Sequence, residues 1–185
     1  HTHNTTHART HTHTGCSAME GAFTEIGPLV LYMIKNNGLM NKGQLSDNPY
    51  AWNEKAHLIF VDQPRHVGFS TVNEPTSGQC LSSKEAAVDI VTFYQAWLKE
   101  YDGVYKNVKA RKLYIAGESK AGQYIPAWGK AIMDHNSENP EARINLQGIL
   151  MVNACTDYSL QVYDSKAFIK FAKERKLLEE SFSPS

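Results

Sequence analysis

Cysteine is scarce in this chain and its number is odd. The three, Cys16, Cys80 and Cys155, form neither a Cys-x-x-Cys pair nor any spacing that suits zinc. Any disulfide leaves one of them over, so cysteine usage does not set the redox compartment. Long apolar runs are missing too. No stretch approaches the roughly 20 apolar residues of a membrane span, and the N-terminus lacks the apolar core of about 7–15 residues that an export signal needs. An excess of one charge is also absent. Nineteen Lys+Arg balance nineteen Asp+Glu, which excludes a basic footprint for nucleic acid or an anionic membrane surface. What remains is 42% hydrophobic over 185 residues, enough for one globular domain or a domain and a fragment.

Histidine is unevenly spread. Five of the eight fall in the first thirteen residues, within HTHNTTHARTHTHT at 1–14. Neutral imidazoles at alternate positions could share a metal ion. Nothing nearby completes a coordination shell, so the tract reads as a compositional repeat, or as sequence translated from outside the gene, and no metal or cofactor is expected. Asn4-Thr5-Thr6 is formally a glycosylation acceptor. We set residues 1–14 apart as a low-complexity His/Thr tail and residues 15–185 as the folded part.

From Gly15 on, patterning alternates between strand and helix. Leu29 to Ile34 is a short apolar run ending in a turn at Asn37-Gly38, and His57 to Asp62 is a second strand. Residues 71–81 suit a loop. Ser82 with Glu85 forms a capping box, and Ala87, Ile90, Val91, Tyr94, Trp97 and Leu98 continue it as an apolar helical stripe. Lys112 to Ala116 is a third strand, followed by a helical pattern to about His135 that Pro126 should bend. Asn136 to Pro140 reads as a loop. Ile144 to Val152 reads as a fourth strand, apolar enough for burial on both faces, and residues 165–180 as a last helix. This order predicts an α/β fold with a mostly parallel sheet and flanking helices.

The third strand runs directly into Gly117-Glu118-Ser119-Lys120-Ala121-Gly122. Strand, Gly-x-Ser-x-small, helix is the nucleophile elbow of α/β-hydrolases. The sharp turn strains the serine backbone, so its neighbours two positions away must be small, as Gly117 and Ala121 are. The turn also sets the serine at a helix N-terminus, where free N–H groups stabilise negative charge. The N–H after the serine, here that of Lys120, is one oxyanion donor. The pattern alone fits equally well a serine that caps an ordinary helix.

Further segments carry a resemblance. GESKAGQYIP at 117–126, DQPRHVGFS at 62–70, GCSAMEGAFTEIGP at 15–28, WNEKAHLIFVDQP at 52–64 and INLQGILMVNACTD at 144–157 resemble, in order and spacing, the motifs of the serine carboxypeptidases, peptidase family S10. The resemblance spans roughly residues 15–180. It implies an incomplete α/β-hydrolase core, a hydrolase acting on peptide or protein C-termini, Ser119 as acylating nucleophile and Lys120 as backbone oxyanion donor. It also implies that Glu118 and Glu25 hold the substrate's C-terminal carboxylate. Two carboxyls sharing a proton cannot both ionise cheaply, and the protonated pair donates a hydrogen bond to that carboxylate. Without the resemblance, both would pass as surface acids. Cys16 matches a family cysteine that bonds to one further along the chain. Family members are usually secretory, vacuolar or lysosomal, and no signal in this chain assigns a location.

Departures from the pattern are concentrated before Gly15. Where the family runs Trp-Leu-Asn-Gly-Gly-Pro, this chain has Arg9-Thr10-His11-Thr12-His13-Thr14. His11 replaces the carboxylate-contacting Asn, and His13 replaces the glycine of the second oxyanion N–H. The break in similarity there suggests a splice, reading or assembly boundary, with the family's preceding strands missing. Lys120 replaces the family's Tyr, and Arg65-His66 replaces a glycine-containing pair.

The triad is not completed. Downstream of Ser119 the only histidine is His135, about 24 Å away along a helix at roughly 1.5 Å per residue, whereas a base must come within about 3 Å. Residues i and i+1 diverge on a helix, so Lys120 is not a base for Ser119 either. Two functional readings follow. One is part of a serine carboxypeptidase whose Asp and His are missing, nearly inactive alone. The other is a non-catalytic peptide-binding protein on the hydrolase scaffold.

Overall fold

In the computed structural model, the described residues are 7–12, 17–36, 39–72, 82–105, 107–163, 165–179 and 181. Four parallel strands form the main sheet: β1 (His7–Thr12), β4 (Ala56–Phe60), β5 (Lys112–Glu118) and β6 (Leu146–Val152), in the order β4-β1-β5-β6. A second, two-stranded antiparallel sheet pairs β2 (Leu29–Asn36) with β3 (Leu39–Asp47). The helices are α1 (Ala18–Thr24), α2 (Ser83–Glu100), α3 (Ala121–Glu138) and α4 (Ser165–Glu174).

The core lies where α2 and α3 meet each other and the central strands. Ile90, Tyr94 and Leu98 of α2 pack with Ile125, Trp128 and Ile132 of α3 and with Leu113 and Ile115 of β5. Helix α2 starts where the capping box predicts: the Ser82 hydroxyl accepts from the Glu85 N–H at 3.2 Å. Helix α3 has no side-chain cap and carries Pro126 in its interior. Its C-terminal end holds the entry to β6, because Asn136 exchanges two 2.8 Å hydrogen bonds with the Ile144 backbone.

The structure differs from the sequence reading in four places. Residues 7–12 are not a tail; they form β1, the strand between β4 and β5. Strand β3 was not expected, because Lys42-Gly43-Gln44 breaks any apolar alternation, and pairing with β2 determines it instead. Asn136 to Glu138 belong to α3 rather than to a loop. Strand β6 is not buried on both faces: Ile149, Met151 and Val152 are each more than two-fifths exposed. Among the described residues β6 pairs only with β5. Most of the expected loop at 71–81 lies outside the described residues, as do Cys16 and Cys80.

Candidate active site

Strand β5 ends at Glu118 and α3 begins at Ala121, leaving Ser119 and Lys120 to make the whole turn. Ser119 adopts φ +52°, a left-handed conformation that costs a non-glycine residue about 1–2 kcal/mol. Three backbone hydrogen bonds hold it there. The Ser119 N–H donates to the Val152 carbonyl at 3.1 Å, and the Ser119 carbonyl accepts from Cys155 at 2.7 Å and from Gly122 at 3.0 Å. The segment after β6 therefore wraps the elbow.

The small residues around the turn have direct steric causes. A Cβ on Gly117 would stand 2.5 Å from the Ala121 Cβ and 2.8 Å from Ile125. A Cβ on Gly122 would stand 2.8 Å from the Cys155 backbone nitrogen. The close approach at Gly122 was not legible beforehand, since its partner lies more than thirty residues away. Neither the Ser119 hydroxyl nor the Lys120 N–H has a hydrogen-bond partner among the described residues. Lys120 is half-buried, with its Nζ 4.5 Å from the centre of the Tyr158 ring.

Glu118 and Glu25 occupy different elements. Glu118 is half-buried at the C-terminal end of β5, immediately before the serine. Glu25 is exposed at the C-cap of α1. Its backbone is fixed by Asn48, whose buried amide donates to the carbonyls of Glu25 at 2.7 Å and Gly27 at 2.9 Å. The segment containing His13, where the second oxyanion donor is expected, lies outside the described residues, and the side chain of His11 is not described either.

His135 is placed at the far end of α3. Its Nε2 lies 3.1 Å from the Gln95 amide and from the Ala142 carbonyl, and its Nδ1 lies 3.2 Å from Asn139. It serves the helix end, not Ser119.

Sequence reasoning missed a buried organiser, Asp62. Its carboxylate accepts from the Ser17 hydroxyl at 2.7 Å, the Ala18 N–H at 2.5 Å and the Phe69 N–H at 2.8 Å. One side chain thus ties the start of α1 to the loop after β4. That loop turns through Gly68 (φ +53°), where a Cβ would fall 2.1 Å from the Asp62 carboxylate. His66, which replaces a motif glycine, adopts φ +71° in the same loop. Arg65 beside it makes a two-pronged pair with Asp89 of α2 at 2.9 and 3.0 Å.

This arrangement of elbow, strand order and loop has counterparts among known proteins. The family model described as serine carboxypeptidase matches residues 14–182. The chain belongs to the serine carboxypeptidase family. A serine carboxypeptidase-like protein of Arabidopsis thaliana, "Serine carboxypeptidase-like 32", is 38% identical over 78% of this chain and 30% of its own length. The "Pheromone-processing carboxypeptidase KEX1" of Saccharomyces cerevisiae is 33% identical over 90% of this chain and 22% of its own. A crystal structure of a prohormone-processing carboxypeptidase from that yeast superposes with a TM-score of 0.69 at 30% identity, covering 96% of this chain and 36% of that one. The fold is thus that of an α/β-hydrolase, of which this serine carboxypeptidase chain carries part of the core. It spans about a third or less of the length of the relatives it matches.

Proposed function

We propose that Ser119 is the acylating nucleophile of a serine carboxypeptidase site that cleaves the last residue from peptides. Lys120 N–H is its oxyanion donor, and Glu118 with Glu25 binds the substrate's C-terminal carboxylate. The observation that carries this reading is the strained Ser119 turn between β5 and α3. Its neighbours Gly117 and Gly122 have no room for a side chain, and its hydroxyl has no structural partner among the described residues. In the reaction the Ser119 oxygen attacks the scissile carbonyl carbon and passes its proton to a base. The resulting oxyanion is held by the Lys120 N–H, and the C-terminal residue leaves as the amine, taking up a proton. Water then releases the acyl group.

His135 supplies no base, because its ring is engaged at the end of α3. That engagement favours binding without turnover for residues 1–185 by themselves. Turnover belongs to a site that draws its Asp and His from other residues. Grafting residues 117–126 into the matching segment of the Saccharomyces cerevisiae relative separates the roles. The chimera should release C-terminal residues, and Ser119→Ala within the graft should lower turnover by about a million-fold. Equal activity with Ser and Ala at that position would overturn the assignment. The 185-residue chain should bind peptides with a free C-terminal carboxylate, lose affinity on Glu118→Ala, and show no turnover above background. Turnover that Ser119→Ala abolishes would show that the chain holds its own base.

A further inference from the structure

Glu25 closes a helix that has little to hold its end. Helix α1 is seven residues long, has no basic residue in its last turn, and is followed by Ile26 where a capping glycine would commonly stand. A helix end leaves its last carbonyls without intrahelical partners. Here a distant segment supplies them. The first pair of the β2–β3 hairpin, Leu29 with Asp47, sets Asn48 beside Pro28. From there residues 48–52 bond to four successive carbonyls. The Asn48 side-chain amide donates to Glu25 at 2.7 Å and to Gly27 at 2.9 Å. The Asn48 backbone N–H donates to Pro28 at 2.9 Å, and the Trp52 N–H donates to Ile26 at 3.0 Å.

Three of those four bonds come from one residue. Asn48 is 8% exposed, and its side-chain oxygen is occupied by the Tyr50 N–H at 3.0 Å. On its other side the same stretch folds back onto α1. The N–H groups of Glu25 and Ile26 both donate to the Gly21 carbonyl, and a Cβ on Gly27 would overlap the Ala22 carbonyl. The main chain of Glu25 is thus fixed from both sides, while its side chain is exposed. Binding a carboxylate by hydrogen bonds requires donors held to within about 0.5 Å. We propose that Asn48 is a positioning residue of the carboxylate site: by holding residues 25–28 it fixes where the Glu25 carboxyl stands. This rests on the reading that Glu25 takes the substrate's C-terminal carboxylate.

A binding ratio tests this on the 185-residue chain without requiring turnover. A fluorescent pentapeptide ending in Gln-Phe is compared, as free acid and as amide, by anisotropy. The free acid should bind about tenfold more tightly, the effect of one charge-assisted hydrogen bond. Unfolded molecules weaken both affinities alike, so the ratio reports the folded site alone. Asn48→Ala should lower the ratio as far as Glu25→Ala does, and the two together should lower it no further. Gly27→Ala, which disturbs the same stretch without touching Asn48, should also lower it and decides the matter if Asn48→Ala does not fold. Ser82→Ala, which weakens a distant helix cap, should leave the ratio unchanged. An unaltered ratio in Asn48→Ala, or additive losses in the double variant, overturns the inference while a drop in Glu25→Ala keeps the carboxylate reading. No effect of Glu25→Ala, or equal binding of acid and amide by the unmutated chain, overturns both.

Discussion

At the scale of single residues, the elbow stores strain in one place and forbids side chains in two others. Replacing Ser119 by glycine removes the left-handed penalty, so Ser119→Gly should be more stable than Ser119→Ala by about 1 kcal/mol. Gly122→Ala should do the reverse, because the new Cβ meets backbone that cannot step aside; a loss of about 2–3 kcal/mol is expected. Urea titrations of the three variants check both signs, and a Ser119→Gly chain no more stable than Ser119→Ala would show that the turn is unstrained. Asp62 sets a second residue-scale test. Asn in its place turns one acceptor into a donor facing N–H and O–H groups, so Asp62→Asn should lose about 2–4 kcal/mol. The turn at Ser119 was readable in the sequence because its neighbours carry a spacing rule. Asp62 was not, because its partners Ser17 and Ala18 are more than forty positions away and no local pattern marks a buried acceptor.

At the scale of elements, the parts that local chemistry dictates were legible and the parts that pairing dictates were not. Helix α2 follows from Ser82, Glu85 and its apolar stripe, and Ser82→Ala should cost about 1 kcal/mol in thermal or urea unfolding. Strand β3 has no signal of its own and exists through its register with β2. Strand β6 looked doubly buried because Ile, Leu, Met and Val follow one another, yet burial depends on what covers each face. Helix α2 also carries a pH-dependent contribution. Tyr94 is 4% exposed, and burial pushes its phenol well above the ordinary value. Since the folded state binds this proton more tightly than the unfolded one, its contribution is whole below about pH 10 and declines as pH rises past the unfolded value. Tyr94→Phe should therefore flatten the alkaline fall in stability measured between about pH 9 and 11. An unchanged slope would mean that other groups govern it.

At the scale of the whole molecule, 185 residues looked sufficient for a domain, and composition gave no sign of how much of a larger fold they represent. Motif order supplied that sign. The superposition takes in 96% of this chain but 36% of the yeast carboxypeptidase. The physical counterpart lies in the sheet. Among the described residues β4 and β6 each pair on one side only, and β6 presents Ile149, Met151 and Val152 at 42–46% exposure. An open strand edge beside exposed apolar side chains is a template for pairing with another chain. Helix α4 adds Phe168 and Phe171, 66% and 49% exposed. The 185-residue chain should therefore self-associate at micromolar concentration, with a mass by light scattering that rises with loading. Placing a charge on the edge strand, as in Ile149→Lys with Met151→Lys, should shift it toward the monomer, because buried lysines oppose strand pairing across copies. The same pair should leave the core between α2 and α3 intact, since both side chains lie outside it. Retained helical circular dichroism with a lower mass would place the association on β6, while a monomer at every concentration before any substitution would show that this edge does not recruit a second copy.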